Sequence, residues 1–445
     1  MSTLDKAWFD ELSELLRIKS VSADPAHGDD VVRAADWVAD KIRRGGGEAE
    51  LVPYGERPLV VGEIRASSGA DSAPTILCYG HFDVQPPAPL DLWESDPFEA
   101  TIRDEWLYAR GVADDKGQLW MLLHAAGQLA AEGALPINIR IVSDGEEEVG
   151  GQSIVEFLEQ DERGADACVI FDGGMESRDL PALSIATRGL AAFNIRVHTG
   201  ERDLHSGMYG GAVLNAAHVL MAMLAEVAPD AEGRVRSELA AGVAPVAAEE
   251  RESWKRLPPG APALAAVGAA EVTAGAGDEY YERTGAATAV DVNMIEVGEP
   301  RTIVPSTARG HVSVRLAPGQ QAAQLAPELE RLLRAAAPPG AEVDIEVDAA
   351  EPALFDPSHP ALRLAEGALE RACGTPPALV RIGGTLPLLA VLADRGNTSI
   401  VSGFALPDDA DHAPNESYRL ESLRLGEAAA RELYVALAAL APGRG

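Results

Sequence analysis

Thr75-Ile-Leu-Cys-Tyr-Gly-His81-Phe-Asp83-Val-Gln-Pro86 is the stretch from which the fold can be read. An apolar run of strand-forming residues delivers a glycine, then a histidine and an aspartate two positions apart, and stops at Gln-Pro-Pro. Residues i and i+2 of a strand project to the same face, so His81 and Asp83 emerge together where the strand ends. In open α/β sheets the carboxyl ends of the strands are where ligands bind. His81 is thus a candidate metal ligand and Asp83 the carboxylate that orients its imidazole. By itself His-x-Asp is more often a strand-end histidine bonded to its neighbour, so the rest of the chain has to decide.

Composition narrows the choices. The chain has 445 residues, 47% hydrophobic and 24% charged, which describes a globular protein too long for one core and points to two domains. With 70 acidic against 37 basic residues the formal net charge is −33, a surface that repels nucleic-acid phosphates and anionic membranes, so neither is an expected partner. Cys78, Cys168 and Cys373 form no Cys-x-x-Cys pair, which excludes a disulfide scaffold and a thiolate zinc site. The N-terminus carries charge at once, and no apolar run approaches the ~20 residues of a membrane span, so a cytoplasmic protein is expected.

Outward from the opening stretch, two helical patterns precede it. One is Leu4, Trp8, Leu12, Leu15 and Leu16, with Ser2 or Thr3 as cap. The other is Val31 to Ile42, ended by Gly45-Gly46-Gly47. Strands are expected at 50–53, 59–64, 137–142 and 167–171, with helices at 118–131 and 154–158 between them. That alternation predicts a mainly parallel, doubly wound sheet. After Arg188-Gly189 the pattern changes to strand 193–197, helix 212–225, strands 290–295 and 312–316, helix 325–333 and strand 343–347. This β-α-β-β-α-β order is ferredoxin-like. Residues 228–288, rich in Ala, Glu, Gly and Pro, read as an irregular or partly helical insertion. Helices at 361–372 and 420–439 and a strand at 399–401 return to the first pattern. The expected division is therefore 1–187 plus 356–445, interrupted by an inserted α+β domain at 188–355.

Four more clusters follow predicted strands of the outer domain. Asp114 and Asp115 stand in Gly111-Val-Ala-Asp-Asp-Lys-Gly117, and Glu146, Glu147 and Glu148 in Ser143-Asp-Gly-Glu-Glu-Glu-Val-Gly-Gly151. Asp172 precedes Gly173-Gly174, and His412 lies in Asp408-Asp-Ala-Asp-His-Ala-Pro-Asn415. A doubly wound sheet brings all of them to one edge. Any one cluster also suits a helix cap or a solvated loop. Five strand ends so furnished make a site for two divalent ions, held by imidazole and carboxylate, which suits zinc, manganese or cobalt. Such a pair activates a water at neutral pH, and a free carboxylate beside it serves as general base.

The set Tyr79-Gly-His81-Phe-Asp83-Val-Gln-Pro86, Arg110-Gly-Val-Ala-Asp114-Asp-Lys-Gly117, Asp144-Gly-Glu-Glu147-Glu148-Val-Gly150 and Asp203-Leu-His205-Ser-Gly-Met-Tyr-Gly-Gly211 resembles the aminoacylase and carnosine-dipeptidase family of dinuclear metallopeptidases, in its cytosolic non-specific dipeptidase branch. The resemblance runs from about residue 75 to about residue 416. It implies a catalytic α/β domain with a lid that also mediates homodimerisation, and hydrolysis of dipeptides by a metal-activated water. It also implies His81 and Asp172 as ligands of one metal, Glu148 and His412 of the other, and Asp114 between them, with the Asp114–Asp115 peptide cis. Glu147 matches the general base and Asp83 the carboxylate that orients His81. His205 matches a lid histidine that stabilises the oxyanion in the partner subunit. Thr302 and Arg315 match positions that hold the substrate's carboxylate, and Gly384 and Thr385 a substrate loop. Dipeptidase relatives usually show Glu and Ser where this chain has Ile382 and Thr385, which leaves the side-chain preference open. Aspartate at 172 goes with dipeptidases and aminopeptidases of the family, glutamate with deacylases and carboxypeptidases. The alternatives are a deacylase or carboxypeptidase of the same family, or a non-catalytic binding protein on a peptidase fold. His27, His124, His198, His218 and His311 lack acidic companions at motif spacing and are expected to be ordinary surface or core histidines.

Overall fold

The computed structural model describes residues 6–54 and 57–440. Leu4 and the expected caps Ser2 and Thr3 lie outside the described residues. The chain forms two compact units, one of Met1–Ile185, Phe355–Leu379 and Val391–Gly445, the other of Ala186–Leu354 and Val380–Ala390.

The first unit is built on a mixed sheet. Its centre is four parallel strands in the order Asn138–Asp144, Thr75–His81, Ala167–Phe171 and Ser399–Ser402. Every residue of Asn138–Asp144, Ala167–Phe171 and Ser399–Ser402 is buried, as strands covered on both faces must be. Antiparallel strands flank this centre, Leu59–Ile64 and Glu48–Val52 on one side and Ala182–Thr187 on the other. The sheet is therefore parallel only at its core. The strand Ala182–Thr187 escaped the sequence reading because Ala-Leu-Ser-Ile-Ala-Thr carries little β-branched or aromatic weight. Lys116–Ala131 packs between the Thr75–His81 strand and the C-terminal helix Leu420–Leu437. It is buried on nearly all sides, from Leu119 and Trp120 to Leu129. The helix Gly28–Arg44 buries Val31, Ala34, Ala35, Val38 and Ile42 and stops at Gly45, followed by Gly46 at φ +86.

Parallel pairing sends the carboxyl ends of the central strands to one edge. His81 is in register with Asp144, and Asp172 follows the end of the next strand. Two glycines permit the close approaches there. A Cβ at Gly80 would stand 2.7 Å from Asp115 Oδ2, and one at Gly117 only 2.1 Å from the Val112 carbonyl oxygen.

The second unit is a four-stranded antiparallel sheet in the order Ala289–Val297, Thr307–Leu316, Gly189–His198 and Glu342–Ala350. The helices Ala216–Val227 and Ala322–Ala335 supply Leu220, Met223, Leu329 and Leu333 to a core with Phe193, Ile195, Val197, Val312 and Val314. Strands and helices alternate as the ferredoxin-like reading expected. Residues 228–288 hold two short helices, Ala248–Trp254 and Gly260–Ala266, and a π-helical turn at Glu282–Ala286. Val380–Ala390 belongs to this unit and not to the outer one in which the sequence reading set it. The physical reason is Arg381. Its buried guanidinium makes a bidentate pair with Glu250, at 2.7 and 3.0 Å, and donates to the carbonyls of Ala244 and Pro245.

Candidate metal centre

The site occupies the strand-end edge of the first unit. His81 closes its strand and is fully buried. Its Nδ1 lies 3.2 Å from the Asp83 carbonyl oxygen and 3.3 Å from Asp83 Oδ1, which anchors the proton on that nitrogen and turns Nε2 toward Asp114, where it can serve as a ligand once it gives up its own proton to an incoming cation. Asp114 and Asp115 precede the helix Lys116–Ala131, and the peptide bond between them is cis, as the resemblance implied. Asp114 Oδ1 is 2.9 Å from His81 Nε2, and its Oδ2 is 2.7 Å from His412 Nε2. One carboxylate thus faces both imidazoles. Asp115 turns away and accepts from the His81 backbone N–H at 3.1 Å, a buried support behind the ligand strand.

The three glutamates divide in the same way. Glu146 caps the next helix by accepting from Ser153 N–H. Glu147 and Glu148 begin a single turn, Glu147–Val149. Glu148 is held from both sides, by the Gln85 backbone and side chain at 3.1 and 2.8 Å and by His412 Nε2 at 3.2 Å. Its own N–H donates to Asp83 Oδ2. His412 sits in a tight loop at φ +57, with its side chain half exposed.

Two groups of potential ligand atoms result, His81 with Asp114 and Asp172, and Asp114 with Glu148 and His412. Within each group the atoms lie within 4.8 Å of one another, and Asp114 is common to both. The electrostatics fit cations. Burial, with the charges of Asp114, Glu147 and Glu148 added and that of His81 opposing, pushes the Asp172 carboxyl up to about 7. Burial, with Asp114, Glu148 and Asp83, likewise raises Glu147. Burial opposes the imidazolium of His81, but Asp114 and Asp83 outweigh it and hold its pKa well above the ordinary value. The hydrogen bond to Asp114, then that to Glu148, raise His412 to about 10. Carboxylates are crowded together with too little positive charge, and the donors are nitrogen and oxygen without thiolate. Both features suit divalent ions of the zinc, manganese and cobalt kind.

The remaining sequence candidates lie in the second unit. His205 pairs with Ile303, and its exposed ring accepts from Gly207 N–H at 3.0 Å. Thr302 is its neighbour across that pairing, its carbonyl accepting from Ser206 N–H. Arg315 donates to Thr385 Oγ1 at 3.1 Å, and Gly384 is exposed beside it. Thr385 Oγ1 in turn donates to the Arg188 carbonyl, and the Arg188 guanidinium donates to the Gly383 carbonyl. Among the described residues no hydrogen bond joins the Arg315–Thr385 pair to His205 and Thr302. Of the histidines expected to be ordinary, His27 pairs with Asp30, and His124 lies against Glu11 and Trp120.

Sequence reasoning missed Gln85, Asp144 and Glu416. Gln85 stands two residues beyond Asp83 and binds Glu148, and Asp144 accepts from Tyr79 OH at 2.9 Å. Glu416, four residues after His412, is fully buried against Arg110. Position in the loop motifs was the available signal for the first two.

Comparison with known proteins places this arrangement. The model of peptidase family M20/M25/M40 matches residues 77–435. The chain belongs to that family. It is a metallopeptidase and so a hydrolase. The enzyme is 32% identical over 415 residues to a cysteinylglycine-S-conjugate dipeptidase of Corynebacterium striatum, covering 92% of this chain and 89% of the relative. It is 27% identical over 434 residues to human beta-Ala-His dipeptidase, covering 91% and 85% of the two chains. Among solved structures, an M20-family metallo-carboxypeptidase from Sulfolobus solfataricus superimposes with a TM-score of 0.84 at 24% identity, covering 98% of this peptidase and all of that chain. Among the described residues no helix of the enzyme is long and apolar enough to cross a membrane.

Proposed function

We propose that this M20-family enzyme is a dipeptidase that binds two divalent ions and cleaves the single peptide bond of a dipeptide. The observation that carries the reading is Asp114, one carboxylate facing His81 and His412 at 2.9 and 2.7 Å, with Glu147 on the adjoining turn. His81, Asp114 and Asp172 would hold one ion and Asp114, Glu148 and His412 the other. Zinc is the first choice, with manganese and cobalt next. The ions supply Lewis acidity toward the scissile carbonyl and make a water nucleophilic at neutral pH.

The chain's own residues do the rest. Glu147 takes the proton of the attacking water, a role its raised pKa suits, because a base poised nearer neutrality can also hand the proton to the leaving amine. Asp83 fixes His81 through its carbonyl oxygen, which accepts from Nδ1–H, with its carboxylate 3.3 Å away, and Gln85 and His412 fix Glu148. Arg315 and Thr302 take the substrate's free carboxylate, and Gly384 and Thr385 line its position. The guanidinium suits a carboxylate because it presents two parallel donors. His205, exposed in the second unit, stabilises the oxyanion in a partner subunit. The second unit serves as lid and dimerisation domain. Its edge strand Ala289–Val297 supports a homodimer, since it presents Val292, Met294 and Ile295 to solvent.

The two relatives matched by sequence are dipeptidases, and aspartate at position 172 agrees with that branch. A panel of free dipeptides such as Ala-Ala and Cys-Gly, set against N-acetyl-amino acids, tests the assignment. Preference for the free dipeptides is expected. Faster hydrolysis of the N-acetyl compounds would move the enzyme to the deacylase or carboxypeptidase reading, and turnover of neither with metal bound would favour a binding protein.

A further inference from the structure

We propose that Glu416, acting with Arg110, is a positioning residue that sets the half of the metal centre built on Glu148 and His412. This rests on the two-ion reading above. Glu416 is fully buried and Arg110 is 1% exposed. The Glu416 carboxylate receives four N–H donors. Arg110 donates at 2.7 Å and Gly111 N at 2.9 Å to Oε2, while Ala113 N at 2.8 Å and Asp114 N at 3.3 Å donate to Oε1. Three of the four are backbone groups of the loop that ends in Asp114. The Arg110 guanidinium also donates to the carbonyl of Ala413, next to His412, at 3.2 Å, and to that of Pro86, three residues beyond Asp83, at 3.4 Å. Ala109 N adds a bond to the Glu416 carbonyl. One ion pair thus ties together the loops that follow His81, lead into Asp114 and carry His412.

The same unit contains an ion pair with an equally buried arginine, though its aspartate is 10% exposed, that touches no ligand loop. Arg140 grips Asp161 bidentately, both bonds 2.9 Å, and donates to the Gly164 carbonyl at 2.7 Å. Both pairs hold the fold together, but only the Arg110–Glu416 pair reaches the centre. Its reach is uneven. His81 ends a strand paired on both sides, and Asp172 directly follows one, so sheet hydrogen bonds hold them. His412 lies in a loop without such bonds, at a positive φ, and that loop is joined to Asp114 through Glu416. Removing the negative charge of Glu416 frees the His412 side first.

The test is calorimetric titration of the metal-free, full-length protein with Zn2+ or Mn2+, which reads each binding event without using turnover. Two events are expected for the wild type. Glu416→Gln, nearly isosteric, is expected to weaken one event by about 10- to 100-fold, the range for a group that orients a ligand, and to leave the other nearly unchanged. Arg110→Lys keeps a cation beside Glu416 but not the reach to Ala413 and Pro86, and is expected to weaken the same event. Asp161→Asn is the control for general loosening, lowering the melting temperature with both events intact. Two wild-type events that Glu416→Gln and Arg110→Lys leave alone, or weaken equally, would overturn the positioning role. So would the same selective loss in Asp161→Asn. A wild type that takes up fewer than two ions would instead bring down the two-ion reading, and the uneven role with it.

Discussion

The two units carry opposite electrostatic deficits. In the first, Asp83, Asp114, Glu147, Glu148 and Asp172 gather around His81 and His412, and burial and mutual repulsion push Asp172 up to about 7. In the second, Arg188 and Arg315 flank Thr385, and among the described residues neither has a carboxylate within ion-pair distance. Burial and the neighbouring Arg315 charge lower Arg188 to about 10, with the more distant charge of Asp291 opposing them only in part. Arg381, a few residues from Thr385, shows the ordinary alternative, a buried guanidinium neutralised bidentately by Glu250. Uncompensated charge costs a folded chain stability, and the proposed ligands would supply the counter-charge, cations in the first unit and a substrate carboxylate in the second.

The sharpest way to break this contrast is at Glu147. Glu147→Gln is expected to lower kcat by about 10²–10⁴-fold while bound metal, measured by elemental analysis, stays at the wild-type level. Parallel loss of metal would make Glu147 a ligand and not a base. On the cationic side, Arg315→Ala is expected to lower kcat/KM for free dipeptides by roughly 10- to 100-fold, the equivalent of about 1.5–3 kcal/mol for a charged hydrogen bond. Arg315→Lys should recover little, because an ammonium lacks the planar fork. Dipeptide amides, which lack the carboxylate, should show almost no difference between wild type and Arg315→Ala.

Metal removal sharpens the anionic side through pH. The folded pKa of Asp172, about 7, lies above its ordinary 3.8, so the metal-free folded state binds the extra proton. That contribution is full below about 4 and is lost as pH rises through 7. His412 adds in the same direction over 6.5 to about 10. The melting temperature of the chelated protein should therefore fall between pH 5 and 8, and saturating Zn2+ or Mn2+ should flatten the decline. A metal-free protein that gains stability over that range would contradict the crowding argument. The smallest effect is expected at Thr385. Thr385→Val removes one neutral hydroxyl between Arg315 and the Arg188 carbonyl and should raise KM by only about fivefold, near 1 kcal/mol.

The legible parts of the molecule were those with local signals. Alternating strand and helix patterns disclosed both folds, and glycine-punctuated strand ends brought forward His81, the Asp114–Asp115 pair, the run Glu146 to Glu148, Asp172 and His412, because each motif announces itself within a few residues; which member of each cluster to choose came from the family resemblance. Glu416 did not, since its partner Arg110 is 306 positions away in the chain and a lone buried glutamate has no periodicity. The same holds for Val380–Ala390, whose unit is decided by Arg381 meeting Glu250, 131 positions earlier. His205 and Arg315 became candidates only through the family resemblance, since an exposed loop histidine and a strand arginine carry no chemistry in their own spacing.

The most direct test of the central claim is a metal titration of turnover. Chelated enzyme is mixed with increasing Zn2+ or Mn2+, and hydrolysis of Ala-Ala or Cys-Gly is followed against bound ions per chain. The account predicts no activity without metal and full activity at two ions per chain. Undiminished hydrolysis by the chelated protein, or full activity at a single ion, would contradict it.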